Sequence, residues 1–588
     1  MWFSYYLIMF KFSFKDISSS TILSYIGISL FILLSYFLIF KFSYLDKTLL
    51  FSLKMMLNFL NLKLFIILLI VFILISFFLS RLQIKTSSKK IILFLFLLAF
   101  ILSTFSWGVT VPNPDVVEFF GIAKYVHING IGSFISNFGS ASFGDYRFHI
   151  MPILIGLLFQ IFGESVWVVY LSYSFIFAFI PVLTYLLSKK LFSKNIALSA
   201  SILVISFPII LIQSTMFLVD IPTILFVLLA IYTFILFLEK PSLRSTLVSF
   251  LSISLAVSSK ASAIIFLVLP LITIFLIYYD KSSNKKYFLK KIIPLFAILF
   301  LIAVVFIFTY SNYFVAQSSL DLSQLNIVGN PDHFVPWYSL LFQINPIIML
   351  SFLVFLVLFI SYPSSKGLIL ISWFILPLIL FKDVNTRYLF PAFPALAIAA
   401  SISLSKLKKP LALFTVILVL LSSVALFSLV YIPAVNNTFY DSNIKLTGNY
   451  LNSLDINSVG VYTFYENLTF TYSPKTEIYA YLVDFYSKKR VYYDLSGSVK
   501  EVYSPENLKR YVVFDYYKDD SYFSPNYDSI VILSSSPSIK DALSKMNVSI
   551  SSSIEENYVL DKVFSNGYYG IEPNKHVYIF LKASLNDK

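Results

Sequence analysis

The most constraining feature of this sequence is a succession of apolar runs, most of them about as long as a bilayer's hydrocarbon core is thick. They stand near 21–40, 63–80, 91–107, 166–187, 196–214, 222–238, 245–257, 262–279, 292–310, 340–361, 367–381, 388–404 and 411–431. Composition agrees: 58% of the 588 residues are hydrophobic, 13% are charged and the mean hydropathy is +0.83. A soluble chain of this length carries about twice that charged fraction. The expected fold is mainly α, a polytopic membrane protein of about thirteen transmembrane helices. The N-terminus lacks the basic start, short apolar core and small-residue cleavage site of a signal peptide, so the first span is expected to direct insertion.

There is no cysteine, which removes disulfides, thiolate catalysis and Cys-ligated metal. Four histidines leave room for one mixed His/carboxylate site, so no cofactor is required and a divalent cation stays open. His333 with Asp332 is one such candidate.

Charge sets the expected topology. Residues 1–431 hold 29 Lys/Arg against 12 Asp/Glu, whereas 432–588 hold 15 against 18. Basic loops of membrane proteins face the cytoplasm, so the excess implies neither nucleic acid nor an acidic partner. The basic connection Arg81–Lys90 is placed inside, which puts the N-terminus inside and the chain end outside. On this scheme inner segments carry 20 Lys/Arg and outer ones 9. Segment 41–63, with four lysines on the outer side, is the outlier and is expected to include an interfacial helix. Nine of the twelve acidic residues fall outside, and acidic residues barely influence topology, so their placement points to chemistry on that face.

After Tyr431 apolar runs shorten. Strand-like Val459–Phe464, Tyr511–Asp515 and Ser529–Leu533 alternate with helix-like Ile444–Leu454 and Ile539–Met546, predicting a small extracytoplasmic α/β domain over 432–588. The sequons at Asn436, Asn467 and Asn547 all fall in it.

The ionisable groups gather in few places. Loop 107–162 carries Asp115, Glu118, Asp145, Arg147 and His149. Val116, Phe119, Phe120, Ala123 and Val126 recur at helical spacing, with Lys124 off the stripe, which predicts a short amphipathic helix in the interface. Asp115 and Glu118 have capping-box spacing, so either a helix-capping or a chemical role is open to them. Arg147 and His149, ahead of an apolar helix, suit a phosphate near the headgroup plane or simple snorkelling. Asp220, before Pro222, caps a helix or orients a ligand. Lys260 sits between two short spans, reaching for a phosphate at the surface, and Arg387 opens a late span.

In this order the residues resemble the GT-C membrane glycosyltransferases, in particular protein O-mannosyltransferases and aminoarabinose transferases. The likeness covers about 107–400: Asp115 opening the first outer loop, the helix from His149 to Gly163, Leu187–Phe192, Asp220-Ile-Pro222, Ser258-Ser-Lys260 and Arg387-Tyr-Leu-Phe-Pro391. It departs where Val116 follows Asp115 and Glu118 lies two positions further on, and the Trp-Trp-Asp motif of oligosaccharyltransferases is absent. The resemblance implies extra helices over 1–90, a catalytic membrane domain over 91–431 and a multi-pass location. It further implies a polyprenyl- or dolichyl-phosphate-linked sugar as donor, inversion at the sugar carbon, and a hydroxyl on a protein, lipid or glycan as acceptor. Asp115 would be the base, Asp220 would orient the acceptor or a cation, Glu118 would support, and Arg147, His149, Lys260 and Arg387 would hold the phosphate. The competing expectation is a transporter or lipid-linked-sugar flippase, which places polar sites near the midplane of two related halves. A non-catalytic surface-assembly protein is the other.

Overall fold

The computed structural model describes residues 19–45, 53–81, 87–108, 114–137, 149–309, 340–380, 386–438, 442–464, 483, 486–487, 489–493, 527–534, 536–544, 546, 548–565 and 576–586. Each of the thirteen expected spans falls on one helix or on two consecutive helical segments. In chain order the helices up to the membrane boundary are α1 Ser19–Lys41, α2 Leu62–Ser80, α3 Ser88–Thr104, α4 Pro114–Asn137, α5 Ile150–Phe162 and α6 Val166–Leu191. Then come α7 Lys194–Val204, α8 Pro208–Gln213, α9 Asp220–Glu239, α10 Leu243–Ser259, α11 Ala263–Lys281 and α12 Lys285–Thr309. The last four are α13 Pro346–Ser361, α14 Ser365–Leu380, α15 Phe393–Leu404 and α16 Lys409–Leu426. Among the described residues seven stretches are long and apolar enough to cross a membrane. The chain is a multi-pass, mainly helical membrane protein.

Several spans are interrupted, and proline explains where. Pro208 and Pro346 each take a first-turn position, which needs no backbone donor, and so start a new segment. Asn345 completes the second break, its Oδ1 accepting from the Ile347 amide at 3.1 Å. In the outlying segment 41–63 short helical turns stand at Ser43–Leu45 and Leu53–Phe59.

The chain divides into two compact units. The first holds 1–108, 171–314 and 318–434. Its interior includes α9 and the stretch Thr386–Leu404, whose most apolar windows are 78% and 83% buried; α1 and α2, at 22% and 17%, turn most of their surface outward. Leu23, Phe37 and Ile67 on those two helices are exposed, as a lipid-facing surface requires. A buried polar clamp holds α1. Tyr36 Oη donates to Ser422 Oγ at 3.0 Å, and Asn345 Nδ2 donates to Tyr36 Oη and Ser423 Oγ, both at 2.9 Å.

The second unit holds 109–170, 315–317 and 435–588. Helices α4 and α5 pack closely because position 156 is glycine: a Cβ there would sit 2.5 Å from the Ala123 carbonyl oxygen and 2.7 Å from Val126 Cβ. Helix α4 runs beyond the expected short amphipathic stretch to Asn137, across a break at Gly130, whose φ of 79° suits glycine. Gly156→Ala is expected to force these helices apart and to destabilise the protein by about 1–3 kcal/mol. A thermal melt unchanged from wild type would show that the contact yields freely.

The C-terminal part of this unit is α/β. Its elements are α17 Ser442–Ser453, β1 Ser458–Phe464, β2 Arg490–Tyr493, β3 Ser529–Ser534, α18 Ile539–Ser544, α19 Val548–Asn557, β4 Tyr558–Ser565 and β5 His576–Lys582. The sheet order is β2-β1-β3-β5-β4, with β1 parallel to β2 and β3, and β5 antiparallel to β3 and β4. Ile530, Ile532, Ile554, Tyr578 and Phe580 form its core. Asp528 Oδ2 accepts from the amides of Asn457 and Ser458 and so fixes the entry to β1 beside β3. The expected strand at 511–515 lies outside the described residues, as do Asn467 and Asn547 and the side chain of Asn436.

Candidate functional site

Asp220 is the first residue of α9, but it does not cap it: Val219 stands at the cap position without a side-chain hydrogen bond. Thr223 turns back instead, its Oγ1 donating to the Val219 carbonyl at 2.6 Å. This leaves the Asp220 carboxylate for another partner. Helices α9 and α10 form an antiparallel hairpin, so the end of α10 returns to the start of α9. Lys260 is the residue that ends α10, its backbone extended. Its Nζ meets Asp220 Oδ1 at 2.6 Å, and the two side chains are 16% and 3% exposed. The sequence sent Lys260 to the surface and Asp220 to a cap or a ligand; the hairpin joins them. Thr223 and Ser259 hydroxyls, 3.0 Å apart, tie the same two helix ends beneath the pair.

A second cation arrives from the segment that precedes α15. Thr386–Ala392 is a 3-10 turn ending at the prolines that start the helix. Tyr388 in this turn is shared: Lys260 Nζ lies 4.2 Å and the Arg387 guanidinium carbon 5.5 Å from its ring centroid. An aromatic face attracts a cation by its quadrupole, by about 0.5–2 kcal/mol according to desolvation. So Asp220, Lys260 and Arg387, distant in sequence, converge around one ring. In the sequence Tyr388 stands only as part of the motif that runs from Arg387 to Pro391. Its signal is its place beside an arginine at the start of a span.

Two further contacts fix the approach to α9. Ser106 Oγ lies 2.7 Å from Thr215 Oγ1 and 3.1 Å from Ser214 Oγ, holding the turn before Asp220 to the end of α3. Trp107 Nε1 donates to Ser174 Oγ of α6 at 2.9 Å.

The other expected residues belong to the second unit. Asp115 lies in the first turn of α4, one position inside the helix rather than ahead of it, because Pro114 already has helical conformation. The side chains of Asp115 and Glu118, and Asp145 and Arg147 altogether, lie outside the described residues. His149 stands at the cap position of α5 without a side-chain capping bond. Its ring is buried edge-on against Phe119, with centroids 5.0 Å apart. Lys124, expected on the solvated side of α4, is buried and paired with Glu164 at 3.2 Å, because α5 covers a second face of that helix. Burial, with Lys124 adding to it, holds His127 below the usual imidazole range. Among the described residues no three His, Asp or Glu side chains converge as metal ligands, and Asp332 and His333 lie outside them.

Residues 150–310 match the family model described as dolichyl-phosphate-mannose-protein mannosyltransferase. No curated protein sequence matches the chain. The fold is similar to ArnT from Cupriavidus metallidurans bound to undecaprenyl phosphate: TM-score 0.50, 12% identity, 85% of this chain against 99% of that one. The apo form of that protein gives TM-score 0.51 at the same identity and coverage. The oligosaccharyltransferase of Archaeoglobus fulgidus, apo form, gives 0.44 at 13% identity, covering 63% of this chain and 62% of its own. At such identity a likeness speaks for fold.

Proposed function

We propose that this chain is a membrane glycosyltransferase of the GT-C kind, whose fold its own resembles, and that it moves a sugar from a polyprenyl- or dolichyl-phosphate donor to an acceptor hydroxyl. The observation that carries this reading is the convergence of Lys260 and Arg387 on the Tyr388 ring. Two cations on one rigid aromatic plate suit a phosphate. The ammonium acts as a point charge and the guanidinium supplies a planar donor fork.

The reaction needs little acid, because the leaving group is a phosphate. Asp115 takes the proton of the acceptor hydroxyl as its oxygen bonds to the anomeric carbon. The carbon–oxygen bond to phosphate breaks with the electron pair going to the leaving phosphate, and the configuration inverts. Lys260 and Arg387, with Arg147 and His149, hold the departing charge, and Asp220 positions Lys260. Glu118 supports the helix start. On this reading the site faces the outside of the membrane, with the N-terminus in the cytoplasm. The acceptor is a hydroxyl of a protein, lipid or glycan.

The test is transfer by purified protein in lipid, offered several polyprenyl-phosphate sugars and acceptors, with release of polyprenyl phosphate as readout. Arg387→Gln is expected to raise the donor KM about 10- to 100-fold, the worth of a charged hydrogen-bond pair. No transfer by the wild-type protein with any donor would instead favour transport of the lipid-linked sugar.

A further inference from the structure

Arg81, the residue that ends α2, is only 8% exposed and has no part in the transfer chemistry proposed above. Its guanidinium carbon lies 5.3 Å from the ring centroid of Tyr25 on α1 and 5.4 Å from that of Phe77 on α2. The two rings meet edge-on at 5.1 Å, and Tyr25 meets Phe414 of α16 in the same way at 4.8 Å. The guanidinium is thus held in an aromatic corner to which α1, α2 and α16 all contribute. Tyr25 lies near the start of α1, Phe414 near the start of α16 and Phe77 near the end of α2, so the corner stands at one membrane boundary.

Aromatic faces attract the cation, but they leave its N–H groups without acceptors. Nε and Nη2 of Arg81 are buried with no hydrogen-bond partner among the described residues, and so is the Tyr25 hydroxyl. Nε–H and the adjacent Nη2–H point the same way and form the two-pronged edge that pairs with a carboxylate or a phosphate. A buried charge left without such a partner is strongly destabilising. The surrounding chain offers no acid. No Asp or Glu occurs in 17–45, 47–114 or 384–440, the stretches that hold α1, α2 and α16. Those stretches bring lysines instead: Lys85, Lys89 and Lys90 follow Arg81, and Lys406, Lys408 and Lys409 lead into α16.

We propose that Arg81 is the central ligand of a binding site for an anionic phospholipid, its fork taking the headgroup phosphate. Helices α1 and α2 turn most of their surface outward, so a lipid can lie directly against the corner. The long stem of arginine lets a small turn of the side chain carry the fork to a phosphate at the boundary. The lysines around it select a headgroup with net negative charge, as basic pockets between spans do. The bound lipid then ties the outlying α1 and α2 to α16 through one anion.

The test uses the full chain in nanodiscs of phosphatidylcholine, with and without phosphatidylglycerol. Phosphatidylglycerol is expected to raise the melting temperature of wild type but not of Arg81→Met. In pure phosphatidylcholine Arg81→Met is expected to melt no lower than wild type, because it removes an unpaired buried charge. A merely structural arginine would lose stability equally in both lipids. By native mass spectrometry Arg81→Met is expected to bind phosphatidylglycerol about ten-fold more weakly, the worth of a charged hydrogen-bond pair. Arg81→Lys, which keeps the charge and the stem without the fork, should fall between, and it carries the comparison if Arg81→Met does not fold. Equal phosphatidylglycerol affinity in wild type and both variants would overturn the site. Inorganic phosphate that stabilises wild type as much as phosphatidylglycerol does, and acts through Arg81, would overturn the lipid assignment.

Discussion

Lys260→Met is expected to lower stability by about 3–5 kcal/mol, because it leaves the buried Asp220 carboxylate without a cation. The Asp220 side chain is 3% exposed, so water cannot replace the lost ammonium. Methionine keeps the length of the stem against Tyr388 but ends the cation–π contact, 4.2 Å in the native protein. The neutral double variant Asp220→Asn with Lys260→Met is expected to recover much of that loss. Removing both members of a buried pair is often close to neutral, whereas removing one is not. Thermal melts of the two single variants and the double variant in detergent provide the measurement. A Lys260→Met protein as stable as wild type would mean that the pair contributes nothing to the fold. Transfer activity is expected to be lost in the two variants that lack Lys260, the proposed phosphate ligand.

Asp115→Asn is expected to slow transfer about 10²- to 10⁴-fold with the donor KM little changed, the ordinary worth of a general base. Asparagine suits this test because it serves a helix start about as well as aspartate does. The start of α4 at Pro114 should therefore survive, while the capacity to accept a proton is gone. Single-turnover transfer from a polyprenyl-phosphate sugar reads the chemical step directly. A full rate in the asparagine variant would reduce Asp115 to a helix-start residue. Asp115→Glu, which retains the carboxylate but moves it, should fall between the two.

Much of the architecture was legible in the sequence because hydrocarbon solvent allows few solutions. Every buried backbone group must be satisfied within its own segment, so a twenty-residue apolar run becomes a helix. Helix breaks were partly legible too: Pro208 and Pro346 sit where new segments start. Strands β1 and β3 were anticipated; β2, β4 and β5 were not, because short strands of a mixed sheet are defined by the neighbours they pair with. Charge type and order along the chain mark single site residues and are blind to the pairs they form. Asp220 and Lys260 stand apart in the sequence, as does Lys124 from Glu164 in the second unit, yet each pair forms one ionic contact.

The sequence alone determined that this chain lives in a membrane, along which stretches its spans lie, and that an α/β part follows them. These are properties of local hydropathy and backbone satisfaction, which need no knowledge of the neighbours. Which spans are central was decided only by the tertiary structure. Helices α1, α2 and α9 have hydropathies of 2.3, 3.1 and 2.6, yet α9 is buried and the other two are not. In lipid an apolar side chain is equally content against a helix or an acyl chain, so hydropathy cannot rank them. The partner of Asp220 was likewise a matter of packing. The α9–α10 hairpin carries Lys260 across forty residues of sequence to a carboxylate that would otherwise be buried alone.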